Sequence, residues 1–417
     1  MTTVELPLRP RLRPEVVLGP AQRRADGVVH HVKDPVTGRY YRIGPREHFL
    51  LSRMDGQRST EEIGAEYAQT FGRRLGPESW RQVFAMLYQR RLLAGSDDSA
   101  ALAEAAEAAA REAARNRRTL LLARVPLFDP QRLFDRVGPH LSALFSWWFV
   151  GPALVICAVL LGFVGYHWRE LVEAVGASRS AVLPMLLALP TAWVIVFVHE
   201  CAHGLTCWRF GGQVREIGLL WRFPLLGAYC NVDDVVLLSR RRRVATAFAG
   251  VFSTLLVVVP FAVLWLLAPD GPVRDLAGTI LLFGAVTAAV NLVPFLRLDG
   301  YYMLTHALNL VDLRGDTYRF WQRLLRGGPA AVAGYQRRDR IAYGLYGLAT
   351  VAFAGTVLTL LVRLWYGSLR VWVGPVWAVL ILATEGVLVT LFLVYAVRRA
   401  RRRRAGASGG QTTTSTA

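Results

Sequence analysis

The sequence has a single lysine, Lys33, among 49 basic residues, and only four cysteines, none of them in a CxxC pair. The near absence of lysine indicates a codon bias rather than a function. Because three of the cysteines stand in or beside apolar segments, their pattern argues against a disulfide framework. The N-terminal stretch MTTVELPLRPRLRPEV lacks the apolar core of a signal peptide, so we expect no cleaved signal.

The chain combines high hydrophobicity with high charge. Of its 417 residues 53% are hydrophobic, and the formal net charge is +19, with a mean hydropathy of +0.31. This combination is unusual for a soluble protein, but it is typical of a membrane protein whose charges are confined to its loops.

Six apolar segments are each long enough to cross a bilayer, which takes about 20 helical residues. They are residues 144–166, 181–208, 244–267, 276–298, 341–366 and 371–396. The sequence therefore predicts a mostly α-helical, multi-pass protein of the cell membrane, with residues 144–397 as its transmembrane domain and the lipid bilayer as a partner.

The distribution of arginines predicts which ends of these segments face the cytoplasm. Loops 209–243 and 299–340 contain seven arginines each, and the tail from residue 398 contains RRARRRR, whereas the three opposite loops share four. By the positive-inside rule the arginine-rich loops and both termini are cytoplasmic. No basic groove with interleaved aromatic residues is present, so we expect the charge to attract anionic lipid and expect no nucleic-acid partner.

Residues 1–95 resemble a small soluble domain in pattern. GVVHHVKD and GRYYRI predict two strands joined by a turn. Three helices follow, the second opened by a capping box of Ser59 and Glu62 and the third carrying Trp80, Phe84 and Leu87 on one face. Together these elements predict a winged-helix-like α+β domain.

Two further segments carry no chemical motif. Residues 96–143 begin with an Ala/Glu/Arg-rich stretch and are predicted to form a helical linker. Residues 398–417 are predicted to form a basic, disordered tail.

The second apolar segment contains the motif HExxH, formed by His199, Glu200 and His203. Positions i and i+4 of a helix lie about 40° apart around its axis, so both imidazoles can bind one zinc ion. Glu200 lies beside them, where a carboxylate can accept a proton from water. The motif alone leaves open a pair of histidines that are merely hydrogen-bonded within a helix bundle.

A third ligand is available at the end of the fourth segment, because a catalytic zinc site needs three protein ligands. Ala181 precedes His203 by 22 residues and Leu276 precedes Asp299 by 23. If both stretches are helical, both side chains lie about 33–35 Å below the outer boundary. A carboxylate at that depth is costly alone but favourable beside a divalent cation, so we expect Asp299 to complete the site.

The residues before and after Asp299 suggest supporting roles. Pro294 should kink or end the fourth helix and open a cavity. Asn291 is a candidate to bind a substrate carbonyl or a developing oxyanion, with an interhelical hydrogen bond as the alternative. Gly300 fits a tight turn after the ligand, and Gly204 fits close helix packing.

These two motifs, HExxHG and N-x-x-P-x-x-x-x-D-G, resemble those of the site-2 protease family of intramembrane zinc metalloproteases, over residues 181–305. The resemblance implies a three-helix catalytic core, with His199, His203 and Asp299 as zinc ligands and Glu200 as general base. Leu296 and Arg297 stand where many members have prolines, which is nearer to the peptide zinc metalloprotease subgroup. The resemblance also implies that loop 209–243 forms a hairpin near the active site. The edge strand of this hairpin could bind substrate as an added strand. Cys230, Asp233 and Asp234 in that loop are expected to be solvated rather than to bind metal.

The N-terminal residues, from GRYYRIGPREHFLL to VFAMLYQRRLLAG, resemble PqqD-type peptide-recognition domains, which bind leader peptides of ribosomally made natural products. We therefore expect a zinc endopeptidase that cleaves a peptide or membrane-protein substrate near the cytoplasmic face, in the maturation or export of such a peptide. Two alternatives stay open: a non-cleaving scaffold that delivers peptides to an exporter, and a membrane-tethered transcription regulator.

Overall fold

The computed structural model describes residues 7–25, 27–94, 99–116, 118–119, 122–179, 182–222 and 225–409. These residues are mostly helical, as the sequence predicts. The chain forms two compact units, Met1–Asp316 and Thr317–Ala417. The predicted domain boundary at residue 95 and the last eight residues of the tail lie outside the described residues.

The N-terminal residues form an antiparallel sheet followed by three helices. The strands are β1 (Val17–Leu18), β2 (Gln22–Arg24), β3 (Gly27–Asp34) and β4 (Arg39–Ile43), and the helices are α1 (Pro45–Leu51), α2 (Thr60–Phe71) and α3 (Pro77–Gln89). Strand β3 pairs with β1, β2 and β4. Both predicted strands and all three predicted helices are present, and β1 and β2 add to them.

The local signals of this region act as predicted. The Ser59 hydroxyl accepts a hydrogen bond from the Glu62 amide at 3.1 Å, and the Glu62 carboxylate accepts one from the Ser59 amide at 2.7 Å. This reciprocal pair satisfies two amides at the start of α2. The apolar face of α3 is buried: Phe84 and Leu87 have no exposed surface and Trp80 is 7% exposed. They form a core with apolar residues of α1, α2 and β3.

The segment 96–143 is helical only in part. Helix α4 (Ser99–Asn116) is followed by strands β5 (Arg118–Thr119) and β6 (Leu122–Phe128) and by helix α5 (Gln131–Val137). The sequence LARVPLF of β6 is apolar and suited to a strand, but its partner is β7, almost 90 residues later. The composition of the preceding Ala-rich helix gave no sign of this distant pairing.

A second antiparallel sheet has the order β5-β6-β7-β8, with β7 (Ile217–Arg222) and β8 (Leu225–Cys230) as a hairpin. In register, Ile217 faces Cys230 and Arg222 faces Leu225. The hairpin predicted within loop 209–243 is thus present. Strand β8 is at the edge of the sheet, and a short 3-10 helix, Asp233–Leu237, follows it.

The helices of the first unit surround an apolar core. They are α6 (Trp147–Tyr166), α7 (Trp168–Arg179), α8 (Val182–Arg209), α9 (Arg240–Leu267), α10 (Pro272–Asn291) and α11 (Asp299–Ala307), with α12 (Leu313–Gly327) beginning at its end. Val251 and Val258 of α9, Leu281 of α10 and Ile195 of α8 are at most 1% exposed. At Gly284 of α10 a Cβ would lie 2.3 Å from a methyl group of Val258, so the absence of a side chain sets the spacing of α9 and α10.

Six helices of the described residues are long and apolar enough to cross a membrane. They correspond to the six predicted segments, with one informative difference: α10 ends at Asn291, whereas the apolar run extends to residue 298. Pro294 lies three residues beyond the helix end, in irregular backbone, as expected for a residue that has no amide hydrogen to donate. The depth count that assumed a helix up to Asp299 is therefore wrong in its premise.

The second unit contains the rest of α12 and a hairpin of two long helices, α13 (Arg337–Val373) and α14 (Pro375–Gly409). Phe320 and Tyr335 pack edge to face, with ring centroids 5.6 Å apart, and the buried Tyr343 lies 6.0 Å from Phe320. Residues 398–409, predicted to be disordered, continue α14. Arginine has high helix propensity, so an apolar helix can extend into an arginine run.

Phe84→Ala should unfold the N-terminal domain core selectively. The side chain is fully buried, and truncating a buried phenylalanine costs about 3–5 kcal/mol. Hydrogen–deuterium exchange of the full chain should then rise in residues 45–93. Tyr88→Ala, on the same helix but 38% exposed, is the control and should leave exchange nearly unchanged. Equal exchange in both variants would contradict the assigned core.

Candidate metal centre

Helix α8 places the two histidines of the HExxH motif on one face. His199 and His203 are one turn apart, with ring centroids separated by 4.8 Å. Their Nε2 atoms lie 3.2 Å from each other. Both residues are buried, with 6% and 8% of their surface exposed. The i, i+4 spacing thus brings two imidazole nitrogens to one point, as the sequence predicts.

Asp299 reaches the same point from the start of α11. Its Oδ2 lies 3.0 Å from Nε2 of His199, and its Oδ1 lies 3.2 Å from Nε2 of His203. The ligand atoms of the three residues all lie within 4.8 Å of one another. The irregular segment 292–298, rather than a continued helix, carries the chain from α10 to this position.

Gly300 is the second residue of α11 and does not form the tight turn predicted for it; instead it allows this approach. A Cβ at Gly300 would lie 2.2 Å from the carbonyl oxygen of Leu292, far inside van der Waals contact. The backbone of α11 can therefore pack directly on the end of α10, which holds Asp299 beside the histidines. Gly204 serves the close packing predicted for it, since a Cβ there would lie 2.8 Å from Sγ of Cys230 and 2.9 Å from the ring of Phe134.

Helix α9 fixes the orientation of both rings. Nδ1 of His203 lies 2.7 Å from the carbonyl oxygen of Thr246, which can only accept, so Nδ1 carries the hydrogen. Nδ1 of His199 lies 2.9 Å from Oγ1 of Thr254, whose own hydrogen is donated to the carbonyl oxygen of Gly250 at 2.9 Å. Nδ1 of His199 is therefore also the donor. In both neutral rings Nε2 is left with its lone pair directed at Asp299.

With both rings neutral, three acceptor groups converge on one point. Oδ2 of Asp299 is buried and has no hydrogen-bond donor among the described residues, although Nε2 of His199 lies 3.0 Å away. A proton or a cation has to lie among these atoms, and two imidazoles with one carboxylate are a donor set suited to a divalent metal ion such as zinc.

Because Gly250 has no side chain, the space in front of the Nε2 atoms of His199 and His203 stays open. A Cβ on this residue would lie 2.4 Å from Nε2 of His203 and 2.6 Å from Nε2 of His199. The sequence analysis did not identify Thr246, Gly250 or Thr254. Their spacing of four residues in an apolar helix was the available signal, because small and hydroxyl residues on one face mark close helix contacts.

Glu200 lies beside the ligands and is oriented by the second sheet. Its Oε2 accepts a hydrogen bond from the backbone amide of Cys230 at 2.9 Å. This contact joins the last residue of β8 to the HExxH motif. Cys230 itself contributes no ligand atom to the cluster of described residues that could hold a metal ion, and neither do Asp233 and Asp234.

A cavity of about 410 Å³ opens at the centre. It is lined by Glu200, His203 and Asp299 at the metal site and by residues of β8, the 3-10 helix, α9 and α11. His306 also lines it and is buried. Burial, together with the charge of Arg243, lowers the pKa of His306 to about 4, so its imidazole is neutral at physiological pH.

The other predicted residues differ in their placement. Asn291 ends α10 and is half-buried, and it is not among the described residues that line the cavity. Its role stays a prediction. Asp234, expected to be solvated, is 4% exposed and forms an ion pair with Lys33. Lys33 therefore has a specific structural partner. The sequence analysis attributed the single lysine to codon bias and did not predict this ion pair.

Comparison with protein-family models, with characterised proteins and with solved structures finds no match to this chain.

Gly250→Ala should abolish metal binding. The added methyl group would occupy the space beside both Nε2 atoms and displace the rings. We expect purified protein to contain well under one equivalent of zinc by elemental analysis. Gly162→Ala, on α6 with nothing within 4 Å of its Cβ, is the matched control and should keep the metal. Full zinc content in Gly250→Ala would contradict the geometry.

Thr254→Val should weaken metal binding without removing it. Valine preserves the shape but cannot accept the hydrogen of His199 Nδ1, and loss of such a support costs about 10–100-fold in metal affinity. Ser253→Ala is the control, because Ser253 also donates to the Gly250 carbonyl but does not contact a ligand. Chelator competition measures both affinities, and equal values would reject the role of Thr254.

Proposed function

We propose that this protein is an intramembrane zinc metalloendopeptidase, related to the site-2 proteases that its motifs resemble. The observation that carries the proposal is the convergence of His199, His203 and Asp299 with a glutamate of the same motif at one cavity. Three protein ligands and room for water are what a catalytic zinc site requires, whereas a structural site is closed by four ligands.

A zinc ion held by these residues would supply a Lewis acid that activates water and polarises a peptide carbonyl. Glu200 is the general base. One of its carboxylate oxygens is held by the Cys230 amide, which leaves the other to accept a proton from a water molecule in the cavity. The same carboxylate can then deliver that proton to the leaving amine.

The surroundings of the site support a peptide substrate. Strand β8 lies at the edge of its sheet and ends at Cys230, in contact with the general base. An extended peptide paired with this edge would run towards the cavity through main-chain hydrogen bonds, which suits substrates of varied sequence. We propose that the domain before residue 95 captures a peptide or the exposed part of a membrane protein.

The metal centre, the second sheet and the N-terminal sheet belong to one compact unit. Gln22 of β2 donates to the carbonyl oxygen of Val236 at 2.8 Å, and Arg23 donates to that of Leu308 at 2.7 Å. The N-terminal sheet therefore lies at the end of the helices where the metal site is. Together with the arginine-rich loops, this favours cleavage near the cytoplasmic face, in the maturation or export of a ribosomally made peptide.

Glu200→Gln tests the proposal directly. Glutamine keeps the size of the side chain and leaves the three ligands in place, but it cannot accept the proton. We expect zinc content equal to that of the unaltered protein and a loss of cleavage of at least about 100-fold. Cleavage is measured in proteoliposomes, with fluorescent peptides and a single-span reporter protein as probes.

Glu78→Gln is the control for this experiment, because Glu78 lies on an exposed face of α3, with 68% of its side chain exposed. It should retain both zinc and cleavage. Cleavage by Glu200→Gln at the unaltered rate would reject the role of Glu200. Zinc-loaded, unaltered protein that captures peptides without cutting them would favour the delivery scaffold instead.

A further inference from the structure

The only lysine of the chain lies in a buried polar cluster that joins the N-terminal sheet to the wall of the cavity. Nζ of Lys33 lies 2.6 Å from Oδ1 of Asp234, and both side chains are 5% exposed. The hydroxyl of Tyr40 donates to the same carboxylate. Lys33 and Tyr40 are directly paired residues of β3 and β4, so the sheet presents two donors at one position.

Asp234 also accepts a hydrogen bond from the chain just beyond α8, the helix that contains the HExxH motif. The backbone amide of Gln213 donates to its Oδ2 at 2.7 Å, and Lys33 donates to Oε1 of Gln213 at 3.0 Å. Helix α8, with the HExxH motif, ends four residues earlier, at Arg209. One carboxylate thus connects the N-terminal sheet, the segment after α8 and the segment after β8.

The segment after β8 has little structure of its own. The 3-10 helix Asp233–Leu237 spans five residues and has no side-chain cap at its N-terminus. Such short helices have poor hydrogen-bond geometry and depend on their neighbours. Its hydrogen-bond partners include residues of the N-terminal sheet: Lys33 and Tyr40 at Asp234, and Gln22 at the carbonyl oxygen of Val236.

The same segment follows directly on the residue whose amide binds the proposed general base. Asn231, Val232 and Asp233 line the cavity together with Cys230, and the amide of Cys230 is the hydrogen-bond donor to Glu200. Three residues lie between Cys230 and Asp234. A shift of the 3-10 helix would therefore move the donor that orients the Glu200 carboxylate.

We propose that Lys33 is a positioning residue of the active site, and that through Asp234 it fixes the Cys230 amide on Glu200. The N-terminal domain then helps to position Glu200 in addition to its proposed role in binding the substrate. The inference rests on the proposed function for its catalytic consequence, but the coupling between Lys33 and residues 225–238 can be measured without any substrate.

The alternative is that the pair only docks the two sheets. A second contact between the N-terminal sheet and the helices makes it possible to distinguish a docking role of this pair from a positioning role. The amide of Arg23 donates to the carbonyl oxygen of Asn309 at 2.9 Å, and the amide of Val311 donates to that of Arg23 at 3.0 Å. A general loss of docking would loosen residues 308–311 as well, whereas a positioning role would loosen residues 225–238 alone.

Lys33→Met tests the inference in the full, zinc-loaded chain. Methionine keeps an unbranched chain of similar shape without the charge. Hydrogen–deuterium exchange in residues 225–238 should rise about tenfold or more, while residues 308–311 and the core of 45–93 stay protected. For a cleaved probe peptide, kcat should fall about 10–100-fold because the base is displaced, and KM should change less than kcat because β8 keeps its pairing with β7.

Two further variants keep the test decisive. Tyr40→Phe removes one donor to Asp234 without leaving a buried charge unpaired, and it should shift the same segment less, even if Lys33→Met does not fold. Adding Lys33→Met to Asp234→Asn should cost much less than Lys33→Met alone, since the two changes remove the same interaction. Arg81→Met removes an exposed charge, 61% accessible, from the same domain and should change nothing.

The outcomes are separable. Unchanged exchange in residues 225–238 for both Lys33→Met and Tyr40→Phe would overturn the inference, and so would an equal rise in residues 308–311. Absence of cleavage by the unaltered, zinc-loaded protein would reject the peptidase proposal instead, and the exchange result would still decide the coupling.

Discussion

Two imidazole nitrogens and a carboxylate meet in a buried space where each presents a lone pair and none presents a hydrogen. Acceptors that face one another at about 3 Å repel strongly where water cannot screen them, so this arrangement requires a shared proton or a cation. The surrounding structure follows from that requirement. Helix α9 contributes a carbonyl and a hydroxyl that turn both Nε2 atoms inward, and it has glycine where a side chain would fill the site.

The same requirement explains why the fourth apolar segment breaks where it does. A carboxylate on a continued helix would have its direction dictated by the helix axis. Ending α10 at Asn291 and starting α11 at Asp299 lets the chain turn and bring the carboxylate back to α8. The start of α11 is covered by protein, because Gly300 is buried and packs on the Leu292 carbonyl.

The convergence of the candidate ligands could be predicted from the sequence because their chemistry is rare in apolar segments: HExxH has a fixed helical geometry, and an aspartate near the end of another span is costly unless it has a partner. The supporting residues of α9 could not, since a threonine or glycine in an apolar helix has the same appearance whether it packs, caps or positions a ligand. Pairings between residues far apart in the sequence could not be predicted either. Strand β6 depends on β7, and Lys33 depends on Asp234, 201 residues later. Local patterns contain no information on such partners.

On the proposed function, the buried Lys33–Asp234 pair would also constrain how a substrate is delivered. A domain tethered by a flexible linker could swing a bound peptide to the active site, but a sheet fixed by a buried ion pair and by backbone hydrogen bonds to residues 308–311 stays in place. Breaking such a pair would leave a charge unpaired in the interior, at a cost of about 3–5 kcal/mol. If this domain holds the peptide, as proposed, the peptide must reach the cavity by its own length, at about 3.3 Å per extended residue. The distance from the recognised segment to the scissile bond, counted in residues, is then a fixed property of the substrate.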